Sequence, residues 1–230
     1  MHIGLIPDGN RRFMVKKRIE NLLMSYDMGI RKFYDFLGWC YDLKVDEVTL
    51  YALSLENLVN RDKSEIESLF KVFNKHAKKG INDKKLHENK VRVRFCGDRD
   101  SLLKVSPNKK LAAEMIDNLT KLEEATKKYT KFTLNLAIAY GGRQEILNAL
   151  KKMVSNGSEV NEENLRANLW VKDDPEIIIR TSEERLSNFL LWQSAYSEIY
   201  FVPKLWQEFG KQDLVDILGE FESRERRYGR

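Results

Sequence analysis

The chain predicts an α/β fold: one domain over residues 1–230, with a central, mainly parallel six-stranded sheet flanked by helices. Buried-strand and amphipathic-helix patterns alternate about six times along it. No linker-like composition and no internal repeat interrupts that alternation. Polar clusters also recur just after predicted strands: Asp8-Gly9-Asn10, Ser54/Glu56/Asn57, Gly141-Gly142-Arg143 and Arg180-Thr181-Ser182. Open α/β sheets bind ligands outside the carboxyl ends of their strands, so these clusters stand where a site belongs.

Taken in order, His2 to Ile6 is a short apolar run stopped by Pro7-Asp8-Gly9-Asn10, the signature of a buried strand entering a turn. Met28, Ile30, Phe33, Phe36, Leu37 and Cys40 then recur at helical spacing, with Arg31, Lys32 and Asp35 on the other face. Val48 to Leu53 reads as a second buried strand. A long amphipathic helix is expected from about Lys63 to His87, with Ile66, Leu69, Phe70, Phe73 and Ala77 on one side and a capping box at Ser64-x-x-Glu67. Val91 to Phe95 alternates apolar and basic residues before Gly97-Asp98. Pro107 opens a helix through about Lys128. Phe132 to Ile138 is a strand, a helix begins at Gln144, and Asn156-Gly157-Ser158 is a loop. Glu176 to Ile179 and Glu198 to Phe201 are the last strands, and a closing helix ends in Arg224-Glu225-Arg226-Arg227.

The composition narrows the function. Charged residues make up 33% and the net charge is +5, but 40 basic residues are interleaved with 35 acidic ones, so no nucleic-acid stripe forms. The two cysteines, Cys40 and Cys96, sit in apolar or strand-like contexts and read as buried thiols of a reducing cytoplasm. No apolar run approaches the ~18 residues that span a bilayer.

The strand-end chemistry is that of anion binding. Asp8 and Glu198 lie beside strands, while Arg11, Arg12, Arg61, Arg143, Arg180 and Arg185 lie just past strand ends. This set suits one or more diphosphates with a hard cation such as Mg2+, which takes few carboxylates plus phosphate oxygens. Neither a Gly-x4-Gly-Lys-Ser/Thr loop nor a Gly-x-Gly-x-x-Gly turn is present, which points away from a nucleotide. A serine-nucleophile elbow is missing, and His2, His76 and His87 are too scattered for a metal cluster. On the long helix, His76 and His87 are expected to be solvated or capping.

Several spaced stretches, in order, resemble the cis-prenyltransferases, the undecaprenyl and dehydrodolichyl diphosphate synthase family. They are His2 through Arg12, Thr49 through Asn57, Tyr140-Gly141-Gly142-Arg143, Ile179 through Gln193, Ala195 through Phe201, Leu205 through Phe209, and Arg224 through Gly229. The resemblance implies that an allylic prenyl diphosphate is joined to isopentenyl diphosphate, leaving a cis double bond, with Mg2+ as cofactor. It implies Asp8 and Glu198 as metal ligands and Asp8 and Asn57 as catalytic residues. Gly9, Asn10, Arg11, Arg12, Ser54 and Arg61 would cradle the allylic diphosphate, and Arg180, Arg185 and Ser187 the isopentenyl diphosphate. Phe33, Phe36, Phe70 and Phe73 are candidates for the wall of a prenyl tunnel. A cytoplasmic homodimer is implied, with peripheral membrane contact for product release and no nucleic-acid partner.

The chain departs from the family pattern in three places. Leu22 to Gly29 lacks the arginine and the Gly-His pair that usually follow the opening turn, leaving Lys16, Lys17 or Arg18 as substitutes. Glu183 follows Ser182 directly, a loop one residue short. Asn57 and Arg61 are one residue further apart than in common bacterial members, and Leu58 replaces an aromatic. The alternatives are a relative with unusual regiochemistry or acceptor (a non-head-to-tail condensation) and a non-catalytic partner subunit. The retained Asp8, Asn10, Arg180, Arg185, Ser187 and Glu198 argue against the second.

Overall fold

The computed structural model describes residues 1–224. Its six-stranded sheet comprises β1 (His2–Ile6), β2 (Glu47–Ser54), β3 (Val91–Cys96), β4 (Phe132–Tyr140), β5 (Ile177–Thr181) and β6 (Glu198–Val202). The spatial order is β3-β4-β2-β1-β5-β6, and every neighbouring pair runs parallel. The chain builds one side outward from β1 through β2, then returns from β4 to lay β5 on β1's other flank. β1 therefore sits at the switch in winding, and the crevice beyond its carboxyl end is the favoured ligand position.

The helices are α1 (Asn10–Lys16), α2 (Leu22–Asp42), α3 (Leu55–Asn60), α4 (Lys63–Ile81), α5 (Lys84–Glu88), α6 (Arg99–Val105), α7 (Lys109–Thr126), α8 (Gly142–Ser155), α9 (Glu162–Asn168) and α10 (Lys211–Ser223), with a 3-10 turn at Trp206–Glu208. Successive strand side chains point to opposite faces, so each short strand feeds two apolar layers. Ile3, Leu5, Ile177 and Ile179 pack with Phe36 and Cys40 of α2 and with Leu214, Ile217 and Phe221 of α10. Ile178 points the other way, to Phe189, Leu190 and Tyr140. A separate cluster joins Ile66, Leu69 and Phe70 of α4 to Met115 and Leu119 of α7.

Several expectations are corrected. The long helix breaks after Ile81, and Asp83 caps α5 by accepting from the Leu86 N–H at 3.1 Å. Asn82 and Asp83 together offer the chain a turn and a cap, which outweighs continued helix. The Ser64-x-x-Glu67 box does not cap α4: Asp62 is the N-cap residue and makes no side-chain capping bond. The helix after Pro107 starts at Lys109, capped by Asn108 through the Leu111 N–H. The short helices α3, α6 and α9 carry too few turns to show a period in the sequence. α10 ends at Ser223, and the motif from Glu225 onward lies outside the described residues. Cys40 and Cys96 are buried free thiols, as expected. Among the described residues, no helix is long and apolar enough to cross a membrane.

Candidate active site

A cleft of about 980 Å³ opens at the carboxyl ends of β1, β2 and β5. Its lining contains Asp8, Gly9, Asn10, Arg11, Arg12, Ser54, Asn57, Arg61, Arg180, Arg185 and Ser187, so the loops bring together all the expected site residues except Glu198. Arg143 is also outside the lining; its side chain is exposed and its backbone N–H is held by Asn188 Oδ1 at 3.0 Å.

Asp8 leaves the end of β1 with its backbone pinned to β5. Its N–H donates to Thr181 Oγ1, and the Thr181 hydroxyl lies 2.9 Å from the Asp8 carbonyl. Its carboxylate accepts from Arg180 Nη2 at 2.9 Å and from the Gly9 N–H at 2.7 Å, yet remains 38% exposed toward the cleft. Gly9 adopts φ +104°, and a Cβ there would lie 2.8 Å from Ser182 Oγ, so only glycine fits this turn. Asn10 spends its amide inside the protein, accepting from Gln207 at 2.6 Å and donating to the Pro7 carbonyl at 3.2 Å.

Arg180 is almost fully buried and bridges two loops: Nη2 holds Asp8, while Nη1 holds Ser187 Oγ at 2.7 Å and the Arg185 carbonyl. Ser182, Ser187, Asn188 and Leu190 all have positive φ. Non-glycine residues held there cost roughly 1–3 kcal/mol each. The contacts that fix this loop are Tyr51 Oη donating to the Ser187 carbonyl at 3.1 Å and Asn188, which reaches Glu56 at 2.7 Å and Gln144 at 3.2 Å. Gly142 lets α8 approach it, since a Cβ at that position would meet Leu191 at 2.8 Å.

The cleft is rich in arginine, and carboxylates sit between the arginines. Glu183 pairs with Arg12 at 2.9 Å and with Arg185 at 2.8 Å. Glu65, only 3% exposed, pairs with Arg11 and with Arg61 and accepts from Tyr26 Oη at 2.6 Å. Burial alone would raise the Glu65 pKa, but the Arg11 and Tyr26 hydrogen bonds and the Arg61 charge outweigh it and hold it below the usual carboxylate range. Burial pushes the Tyr26 phenol up to about 12, so it stays a neutral donor to Glu65 while accepting from Arg61 at 3.0 Å. Tyr26 thus stands where the family histidine was missing, and it engages protein groups. Lys16 does not replace the absent arginine in the cleft; it pairs with Glu208.

Within one chain Glu198 lies apart from the cleft. It opens β6 beside Ile177, which itself pairs with Ile3, whereas Asp8 lies past the other end of β1. At about 3.3 Å per residue, this separates the two residues by roughly 17 Å along the strands within one chain. Glu198 instead accepts from Tyr200 Oη at 3.0 Å and pairs with Arg224 at 3.3 Å. Among the described residues no group of three or more His, Cys, Asp or Glu side chains is placed to hold a metal. The donor set at Asp8, one accessible carboxylate beside arginines, still fits an ion that completes its shell with substrate oxygens and water.

Below the polar mouth the cavity becomes apolar. A second chamber of about 870 Å³ shares Ile30, Phe33, Leu50, Ala52 and Phe73 with the cleft and continues past Leu37, Leu119 and Leu136. Phe33 and Phe73 are wall residues, as expected. Phe36 and Phe70 are not: both are 0% exposed, with Phe36 packed against Trp206 and Phe209 at ring distances of 5.8 and 6.1 Å. The sequence reading also missed Tyr26, Glu65 and Glu183. Glu65 carried a faint signal, a carboxylate four residues after Arg61 on an apolar helix face.

A doubly wound sheet whose basic cleft adjoins an apolar chamber suits a ligand with an anionic head and an apolar tail. Residues 6–229 match the family model described as putative undecaprenyl diphosphate synthase, and the chain belongs to that family, the cis-prenyltransferases. It is a prenyl-transferring enzyme. Among its relatives is the tritrans,polycis-undecaprenyl-diphosphate synthase (geranylgeranyl-diphosphate specific) of Methanopyrus kandleri, 45% identical over 100% of this chain and 84% of the relative. The isoprenyl transferase of Thermus thermophilus is 38% identical over 100% of this chain and 88% of its own length. Among solved structures, a probable undecaprenyl diphosphate synthase from Campylobacter jejuni superposes with a TM-score of 0.79 at 32% identity, covering 100% of this chain and 98% of that one. Lavandulyl diphosphate synthase from Lavandula x intermedia, in complex with dimethylallyl diphosphate, superposes with a TM-score of 0.85 at 27% identity and the same coverage.

Proposed function

We propose that the protein extends a geranylgeranyl-sized allylic diphosphate with isopentenyl diphosphate, adding cis units to give a long polyprenyl diphosphate. The observation that carries this reading is that the arginine-lined mouth adjoins the apolar chamber, with Ile30, Phe33 and Phe73 as walls of both. That shape matches a charged head and a growing tail. Relatives whose names specify geranylgeranyl diphosphate span the whole chain, including one 41% identical from Pyrobaculum aerophilum.

In this reading Gly9, Asn10, Arg11, Arg12, Ser54 and Arg61 surround the allylic diphosphate, with Asn10 contributing backbone because its amide is already engaged. Arg180, Arg185 and Ser187 receive the isopentenyl diphosphate, and Glu183 yields its arginines to the incoming anions. The allylic C–O bond breaks and its electron pair leaves with the diphosphate. The π pair of isopentenyl diphosphate forms the new C–C bond, and a proton passes to an oxygen of the released diphosphate as a double bond is restored. Asn57, on the cleft wall, assists that proton transfer. Arginines fixed before reaction stabilise the charge that builds on the leaving group, and the two loops hold the substrates in line. Asp8 would hold Mg2+, which would supply further charge neutralisation at the leaving group.

A homodimer is supported by the open edge of β6, where Ile199 and Phe201 are each 39% exposed. A cation shared by Asp8 and Glu198 would need such a second copy. Exposed Leu23, Met24 and Met28 at the start of α2 support peripheral membrane contact for product release. The test is incubation of the purified chain with Mg2+, labelled isopentenyl diphosphate and allylic diphosphates from C5 to C20. Labelled polyprenyl diphosphate is expected, most efficiently from the C20 primer and abolished by chelation. No incorporation with any primer would overturn the reading.

A further inference from the structure

The apolar chamber is bordered by α2 and α4, and the neck it shares with the cleft is lined by Ile30 and Phe33 of α2 and Phe73 of α4. Beside that neck the two helices are tied by polar contacts that the site chemistry does not use, and Tyr34, His76 and Lys79 among them also line the chamber. Asp27 Oδ1 accepts from Lys75 Nζ at 2.7 Å and from His76 Nε2 at 3.0 Å. Asp27 Oδ2 accepts from Arg31 Nε at 2.9 Å. One stretch further along, His76 Nδ1 lies 3.0 Å from Tyr34 Oη, the rings are 5.5 Å apart, and Lys79 Nζ stands 5.7 Å from the Tyr34 ring centre.

The spacing makes this a seam. Asp27, Arg31 and Tyr34 recur at intervals of four and three residues, one stripe along α2, and Lys75, His76 and Lys79 form the facing stripe on α4. Asp27 is not an ordinary surface partner: its side chain is only 10% exposed, so its pairs are poorly screened. Burial opposes its charge, but hydrogen bonds from Lys75, His76 and Arg31 outweigh burial and hold its pKa down to about 2. Without that carboxylate, Lys75 and Arg31 would face each other across the seam with no counter-charge between them.

We propose that the Asp27–Lys75–His76–Tyr34 seam is a specificity element that sets the width of the neck, and through it the length of prenyl chain the protein accepts and releases. Asp27 acts here as a positioning residue through α2 and α4, without touching substrate. The inference rests on the proposed polyprenyl synthesis.

The test compares wild type with Asp27→Asn and Tyr34→Phe, measuring product-length distribution, primer selectivity and turnover of the first addition. Asp27→Asn is expected to lengthen the dominant product by at least one isoprene unit. It should reduce discrimination against oversized primers about tenfold, while first-addition kcat stays within about twofold. Tyr34→Phe, which removes one hydroxyl from a half-exposed ring, should shift the products the same way by less, and it serves if the charge variant folds poorly. A merely structural seam would lower stability and leave product length unmoved. A wild-type chain that makes no prenyl product overturns the underlying reading. A productive wild type with an unchanged or shortened distribution in both variants overturns this one.

Discussion

The mouth of the cavity and the chamber beneath it are built from different parts of the fold. Asp8, Glu183 and Ser187 sit on loops after β1 and β5, Arg12 lies in the first turn of α1 and Arg180 near the end of β5, and each is fixed by hydrogen bonds or ion pairs to another segment. Phe33, Phe73, Leu37 and Ala77 sit on the long helices α2 and α4, placed by how those helices pack and are tied together. The mouth tolerates little change because each polar group there has a specific partner. The chamber is defined by what its walls leave empty, so substitutions that keep the helices packed should retune it without abolishing chemistry.

The largest expected effect tests the mouth. Asp8→Ala should cut turnover at least about 10³-fold, combining loss of the cation ligand with release of the buried Arg180 from its partner. Steady-state kinetics with saturating substrates measures it, and wild-type turnover would mean that the cation is held elsewhere. A paired experiment separates chamber from core. Phe70→Ala should cost about 3–5 kcal/mol of stability, because that ring is fully buried, and leave product length alone. Phe73→Ala should lengthen products with a smaller loss of stability. Denaturant unfolding and product chromatography on both variants check the contrast, and equal behaviour would dissolve the distinction.

The smallest effect concerns the seam between α2 and α4. The folded-state pKa of Asp27 lies at about 2, below its ordinary 3.8, so its contribution to stability is complete above about pH 4 and disappears as pH falls toward 2. Thermal midpoints of wild type and Asp27→Asn should differ by a constant amount above pH 4 and converge toward pH 2. A gap that persists unchanged to pH 2 would show that the Asp27 charge does not stabilise the fold.

The mouth was largely legible in the sequence because polar residues that directly follow buried apolar runs in a parallel sheet must gather at one edge. That same rule, applied fully, places Glu198 correctly: it precedes its apolar run, whereas Asp8 follows one, so the two belong at opposite ends. The resemblance to the family suggested the pairing, and sheet polarity within one chain separates it. The arginines were legible by type, but their resting partners were not. Glu65 and Glu183 look like surface carboxylates until α4 and the shortened loop bring them between guanidinium groups. The chamber was the least legible part. Helical periodicity marks an apolar face, and Phe33, Phe36, Phe70 and Phe73 share that signal. Only the packed structure shows that Phe36 and Phe70 meet other side chains while Phe33 and Phe73 border a void.

The central claim is that one substrate spans both regions, with its head at the arginine mouth and its tail in the chamber. A crystal structure with a geranylgeranyl thiolodiphosphate and Mg2+ tests it most directly. The predicted result is a diphosphate beside Asp8, Gly9 and Arg12 with the tail passing between Phe33 and Phe73. A bound diphosphate whose tail lies outside the α2–α4 neck would contradict it.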